Sequence, residues 1–169
     1  KITGGYHGKG MKVYSARHNP LTPAIVKQHY CRHGGRLIQR YIDKPLLLKG
    51  YKFDFRVWMG IVRADPWLVY FHDGFLRRAY HPFAADDHLS HITNAGGLER
   101  HEGEPGFTPH NRFWSFWDLQ RYLAKTRPDA PTDYVDRVLR PWLKSVTRYL
   151  FEAGRNDGSM RGQYVPGRS

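Results

Sequence analysis

The chain has 169 residues, about one domain by the usual size prior, and 40% apolar content supports a packed core and excludes wholesale disorder. Its formal charge of +12 favours an anionic partner: nucleic acid, an acidic protein tail or a phosphate-bearing small molecule. The single cysteine, Cys31, excludes a disulfide framework and a multi-thiolate zinc site within the chain, and no apolar run approaches the ~18 residues of a membrane span.

In chain order, a glycine-rich opening leads to a short alternating strand, MKVYS (11–15). TPAIVKQHYCRHG (22–34) reads as a helix, with Thr22 as cap, Pro23 in the first turn and Gly34-Gly35 ending it. RLIQRYI (36–42) reads as a strand, and LLLKG turns at Gly50. KFDFRVWMGIVR (52–63) is the longest strand candidate. WLVYFH (67–72) and FLRRAY (75–80) flank Asp73-Gly74, a pair suited to a tight type I′ hairpin turn. Residues 81–111 form a long loop rich in His, Asp, Gly and Pro.

The spacing then predicts an amphipathic helix over 111–126, with Phe113, Phe116, Trp117 and Leu123 on one side. A second helix runs from about Thr132 to Ala153, with the stripe Val135, Val138, Leu139, Trp142, Val146, Tyr149 and Leu150. Pro141 should kink or split it. Residues 154–169 read as a loop. Strands followed by helices predict an α+β fold. Lys1 in place of an initiator Met, and the polar ending MRGQYVPGRS, read as an internal piece of a longer chain. Targeting segments would then be out of view.

One strand carries unusual chemistry. Residues i, i+2 and i+4 share a face, so Lys52, Asp54 and Arg56 point one way and Phe53, Phe55 and Val57 the other. Composition alone allows a solvated face with weak ion pairs. The glycine-rich opening, KITGGYHGKG, adds Gly8, Gly10 and Lys1, and such a loop brings backbone N–H groups close to phosphate. Basic residues are spread along the chain without a run of five or more, which argues against a clustered nucleic-acid stripe.

KITGGYHGKGMKV, LIQRYIDKPLLL, KFDFRVW and HITN, in this order and spacing, resemble the tubulin–tyrosine ligase-like family of ATP-grasp amino-acid ligases. The resemblance covers Lys1 to about Ala153. It implies a partial ATP-grasp domain of antiparallel sheets packed with helices. It also implies ATP and Mg²⁺ as cofactors, and an acyl-phosphate reaction that joins Glu, Gly or Tyr to a carboxylate of tubulin or another acidic tail.

By the same resemblance Lys1, Gly8 and Gly10 contact phosphates. Gln39, Arg40, Tyr41 and Ile42 form the hinge at the adenine edge, with Leu37 and Ile38 walling the pocket. Lys52 reaches base and phosphates, and Asp54 is the ribose or polar-network acid. His91, Thr93 and Asn94 close the site, His91 either touching nucleotide or bracing the loop. Arg56 and Arg77 are the catalytic pair facing the γ-phosphate, where fixed guanidinium groups stabilise charge on the transferring phosphoryl.

No residue is assigned to metal, because the family's Asp and Glu-x-Asn ligands are expected beyond Ser169. HITN is followed by Ala95-Gly96-Gly97, a departure from many relatives. The implied location is cytoplasmic, at microtubules or a cilium or flagellum, with no membrane partner; organelle targeting stays open. An alternative is an inactive ligase-like domain serving as a structural subunit of a microtubule or ribonucleoprotein assembly. A third reading makes Trp114, Trp117 and Tyr122 stacking platforms for nucleic acid.

Overall fold

The computed structural model describes residues 11–17, 20–28, 37–94 and 112–156, and these form an α+β fold. The described elements in chain order are α1 (Pro23–Val26), β1 (Leu47–Leu48), β2 (Tyr51–Ala64), β3 (Trp67–Arg78), a 3-10 turn (His88–Ser90), β4 (Phe113–Trp114), α2 (Phe116–Thr126), a π-helical turn (Val135–Leu139) and α3 (Arg140–Asn156). The strands form one sheet in the order β1–β2–β3–β4. The chain divides into two compact units, one of residues 1–54 and 76–113, the other of 55–75 and 114–169.

In the first unit β1 pairs antiparallel with β2, Leu48 opposite Tyr51. The two residues between them, Lys49 and Gly50, both have positive φ, +52° and +82°. That is the requirement of a type I′ turn, so the tight turn falls at Gly50 as its sequence predicts. Among the described residues, Leu48, Leu76 and Ala79 are the buried apolar residues here. Ser90 is also fully buried, and its hydroxyl donates toward the carbonyls of Ala84 and Asp87 while accepting from the Ala84 N–H. These bonds fold residues 84–90 into a fixed loop inside the long 81–111 connection.

The second unit is built on the rest of the hairpin and the helices. β3 is one continuous strand, so Asp73-Gly74 is not its turn. The chain reverses at Asp65-Pro66, through a cis peptide. Gly74 instead takes a left-handed φ of +67° within the strand, where an added Cβ would lie 1.9 Å from the Arg56 carbonyl oxygen. Only glycine fits there, which explains an Asp-Gly signal without a hairpin turn.

α2 begins later than its sequence predicts. Ser115 and Asp118 form a capping box, and Phe113 lies before it on β4 rather than on the helix. Of the expected stripe Phe116 is buried, against Phe55 at 5.7 Å between ring centres, whereas Trp117 is 71% exposed. The last helix does split near Pro141. The Arg140 N–H bonds to the Val135 carbonyl in π fashion. The next N–H would belong to Pro141, which has none, and the chain continues as α3. Val135, Leu139, Leu143 and Phe151 are buried, Phe151 edge-on to Trp67 at 5.3 Å. Val138, Trp142, Val146, Tyr149 and Leu150 stay exposed. α3 reaches Asn156, so 154–156 are helix rather than loop.

Three further expectations change. The helix from 22 is a single α-turn capped by the Thr22 side chain, with a π turn at 27–28; its continuation over 29–34 lies outside the described residues. Residues 37–42 carry no strand, and Leu37, Ile38 and Ile42 are exposed. Over 11–15 only Ser15 makes a bridge.

Candidate nucleotide site

The first unit gathers charged and polar groups from three parts of the sequence. β2 alternates, so Lys52 and Asp54 lie on one face, and β3 brings Arg77 beside them. Arg77 grips the Asp54 carboxylate with two donors, Nε to Oδ1 and Nη2 to Oδ2, each at 2.7 Å. This planar fork is the strong form of the ion pair, and the Arg77 side chain is 13% exposed. The Thr93 hydroxyl donates to Asp54 Oδ2, also at 2.7 Å. Asp54 therefore accepts from both Arg77 and Thr93.

A second chain of bonds starts at Lys52. Its ammonium has only donors, and Nζ lies 3.0 Å from the Tyr41 hydroxyl oxygen, which accepts. The Tyr41 hydroxyl then donates to His91 Nδ1 at 2.7 Å. His91 Nε2 carries the remaining proton and faces the Ala85 carbonyl at 3.4 Å. The His91 ring is buried, edge-on to Tyr41 and Phe83. Burial pulls its pKa below the usual histidine value, and the positive charge of Lys52 adds to the effect. His91 is thus a neutral acceptor for Tyr41, which fits the bracing alternative.

The loop before His91 is tied by its own polar groups. His81 and Asp87 meet at 2.6 Å, and Asp87 caps the 3-10 turn through the Leu89 N–H at 2.9 Å. Burial pushes the Asp87 carboxyl up, but bonds from His81 and Leu89 leave it below the usual range. A cavity of about 500 Å³ opens here, lined by Met11, Lys12, Val13, Ser15, Ala85, Asp86, His88 and His91.

Arg112 is the member that sequence reading misses. It is 4% exposed, stacks on the Tyr80 ring at 3.7 Å, and donates to the Arg78 and Thr93 carbonyls at 3.1 Å each. The Tyr80 hydroxyl in turn donates to the Asn94 carbonyl at 3.3 Å. A guanidinium next to an aromatic-rich helix start has no local signature of burial.

The structure thus assembles Tyr41, Lys52, Asp54, Arg77, His91, Thr93 and Asn94 in one unit. Gln39, Arg40 and Ile42 lie on the extended segment beside Tyr41, with exposed side chains. Arg56 belongs to the second unit, where its side chain is exposed, so its pairing with Arg77 is not described. Lys1, Gly8 and Gly10 lie outside the described residues. Among the described residues no cluster of three His, Cys, Asp or Glu could hold a metal ion, and no helix is long and apolar enough to cross a membrane.

The chain is 31% identical over 128 residues to the protein polyglycylase TTLL10 of Macaca fascicularis, covering 72% of this chain and 20% of that protein. It is 28% identical over 139 residues to the tubulin monoglycylase TTLL3 of Mus musculus, covering 77% and 14%. It is 29% identical over 126 residues to the inactive polyglycylase TTLL10 of Homo sapiens, covering 71% and 18%. The chain therefore spans a fifth or less of the length of these relatives. No solved structure matches it significantly. The sequence profile of the tubulin-tyrosine ligase family matches residues 3–150, and the chain belongs to that family.

Proposed function

We propose that this chain is part of an ATP-dependent amino-acid ligase of the ATP-grasp type, acting on carboxylates of an acidic protein tail such as that of tubulin. The observation that carries this reading is the convergence, in one compact unit, of Tyr41, Lys52, Asp54, Arg77 and the His91–Asn94 loop. Lys52 and Arg77 offer fixed cationic donors, which suits a polyphosphate. ATP as substrate supplies the phosphoryl group that activates the acceptor carboxylate.

In this reading the hinge at Gln39, Arg40, Tyr41 and Ile42 meets the base, and Thr93 and Asn94 close over the nucleotide. Lys1, Gly8 and Gly10 cover the phosphates, and Arg56 joins Arg77 at the transferring group. In this reading Mg²⁺ accompanies the ATP. The names of the polyglycylase and monoglycylase relatives favour glycine over glutamate or tyrosine as the added residue. A charge of +12 suits an acidic acceptor and raises its encounter rate, with the gain falling as salt rises. The site of action is the cytoplasm, at microtubules or a cilium or flagellum.

A relative named inactive keeps the alternative of a non-catalytic subunit in play. The test uses the full-length protein, with ATP binding followed by calorimetry and labelled Gly, Glu and Tyr offered with tubulin. Binding and incorporation are expected, with Lys52→Ala lowering ATP affinity by about tenfold or more. Binding without incorporation of any of the three establishes the non-catalytic reading. Absence of ATP binding sinks the ligase reading and leaves the structural one.

A further inference from the structure

We infer that Arg112 is a positioning residue of the nucleotide site, acting through Thr93 and Asp54 on Arg77. The inference rests on the ATP-binding reading above and adds a residue outside its motifs.

Its argument begins with cost. Arg112 is a 4% exposed cation, and its Nη1 has no hydrogen-bond partner among the described residues. Burying a guanidinium with an unmet donor opposes folding, and an apolar side chain of similar volume would pack there more favourably. What the arginine supplies is geometry. Nε holds the Arg78 carbonyl at the end of β3, and Nη2 holds the Thr93 carbonyl in the HITN loop. The planar group spans strand and loop at once, with the Tyr80 ring beneath it.

Both ends of that span lead into the site. On the loop side, fixing the Thr93 carbonyl also fixes the hydroxyl that bonds Asp54 at 2.7 Å. On the strand side, Arg78 directly follows Arg77, whose fork closes on the same carboxylate. Tyr80 adds a bond to the Asn94 carbonyl, so two successive loop carbonyls are held from the Arg112–Tyr80 stack. Arg112 therefore sets the distance between the loop and β3 on which the Thr93–Asp54–Arg77 arrangement depends. A lysine keeps the charge but cannot span two carbonyls while lying flat on the ring.

The experiment measures ATP affinity by calorimetry on the full-length protein for wild type, Arg112→Lys, Thr93→Val and the double variant. Each single change is expected to weaken ATP binding about tenfold, the scale of a lost charge-assisted hydrogen bond. The double variant should bind no more weakly than the weaker single, because both changes break one path. Wild-type affinity in Arg112→Lys overturns the proposal. So does a roughly hundredfold loss in the double variant, which would mean independent effects. If Arg112→Lys does not fold, Arg112→Gln is measured the same way. Unfolding of both makes Arg112 a residue of stability alone and also overturns the proposal. A wild-type protein that fails to bind ATP removes the ligase reading as well, whereas binding by the wild type with unchanged variants removes only this inference.

Discussion

Two carboxylate–guanidinium pairs, one in each unit, use the same chemistry in different company. In the first, Arg77 forks onto Asp54, and Asp54 also accepts from Thr93. In the second, Arg140 at the start of α3 forks onto Asp73 of β3, with Nε at 2.8 Å and Nη2 at 2.6 Å from the carboxylate, and also pairs with Asp136 one turn back. The Asp73 pair joins a helix to a strand and extends to Asp136 in the turn before that helix. The Asp54 pair leads through Thr93 to a loop, a buried arginine and a motif of the family. The bond type does not separate a fold element from a site element; what its members touch next does.

The largest expected effect falls on the frame of the second pair. Gly74→Ala places a methyl group against the Arg56 carbonyl at a left-handed φ, and neither backbone can yield cheaply. A loss of about 3 kcal/mol or more is expected. Urea unfolding measures it, and a loss within about 1 kcal/mol would show that the strand reroutes around Gly74.

Next, Arg140→Met removes the fork from Asp73. Both side chains are about a quarter exposed, so screening reduces the expected loss to about 1–2 kcal/mol. Hydrogen bonds from Arg140 hold the Asp73 carboxyl below its ordinary value of 3.8. Its lowered pKa makes the native state bind fewer protons than the unfolded one. The stabilisation is therefore full above that value and fades as pH falls through the lower native pKa. The difference between wild type and Arg140→Met should be constant near neutrality and shrink in strong acid, while ATP affinity does not change. A weakened affinity would erase the contrast between the two pairs.

Asp54→Asn is the mirror test. One oxygen still accepts, so the stability loss should be smaller, about 1 kcal/mol, whereas ATP affinity should fall about tenfold. Equal loss of stability in the Asp54 and Asp73 pairs, with no change in ATP binding, would make both of them fold elements.

The sequence exposes the members of the first pair more readily than their pairing. Period-2 alternation puts Lys52 and Asp54 on one face, and Arg77 is legible as a site residue only through the family resemblance. Which residues face each other across the hairpin depends on where it turns. Reading Asp73-Gly74 as the turn displaces it from Asp65-Pro66, and with it the partners of every residue on β3. The turn at Gly50 is legible because a glycine, free to take positive φ, and the end of an apolar run coincide there. Helical periodicity places Val135 and Leu139 on the buried face but misses Leu143 and Phe151, and it counts Val138, Trp142, Val146, Tyr149 and Leu150, which are exposed. Arg112 is illegible for a related reason: its partners are backbone carbonyls and a ring, which leave no charge pattern in the sequence.

The smallest expected effect concerns the Lys52–Tyr41–His91 chain. Tyr41→Phe removes the hydroxyl that accepts from Lys52 and donates to His91, for about 1 kcal/mol at neutral pH. The acid limb carries more information. His91 is held neutral, chiefly by burial, with a pKa below the ordinary 6.5. Between the two values the unfolded chain binds a proton that the native ring does not, so stability falls as pH drops from 6.5 through the native pKa. Protonation also turns Nδ1 from an acceptor into a donor facing the Tyr41 hydroxyl. That hydroxyl can no longer donate to Nδ1 and must turn to serve as an acceptor for both neighbours. His91→Asn should flatten the stability profile over this interval and weaken ATP binding only modestly at neutral pH. An unchanged acid slope in His91→Asn would mean that other titrating groups carry it.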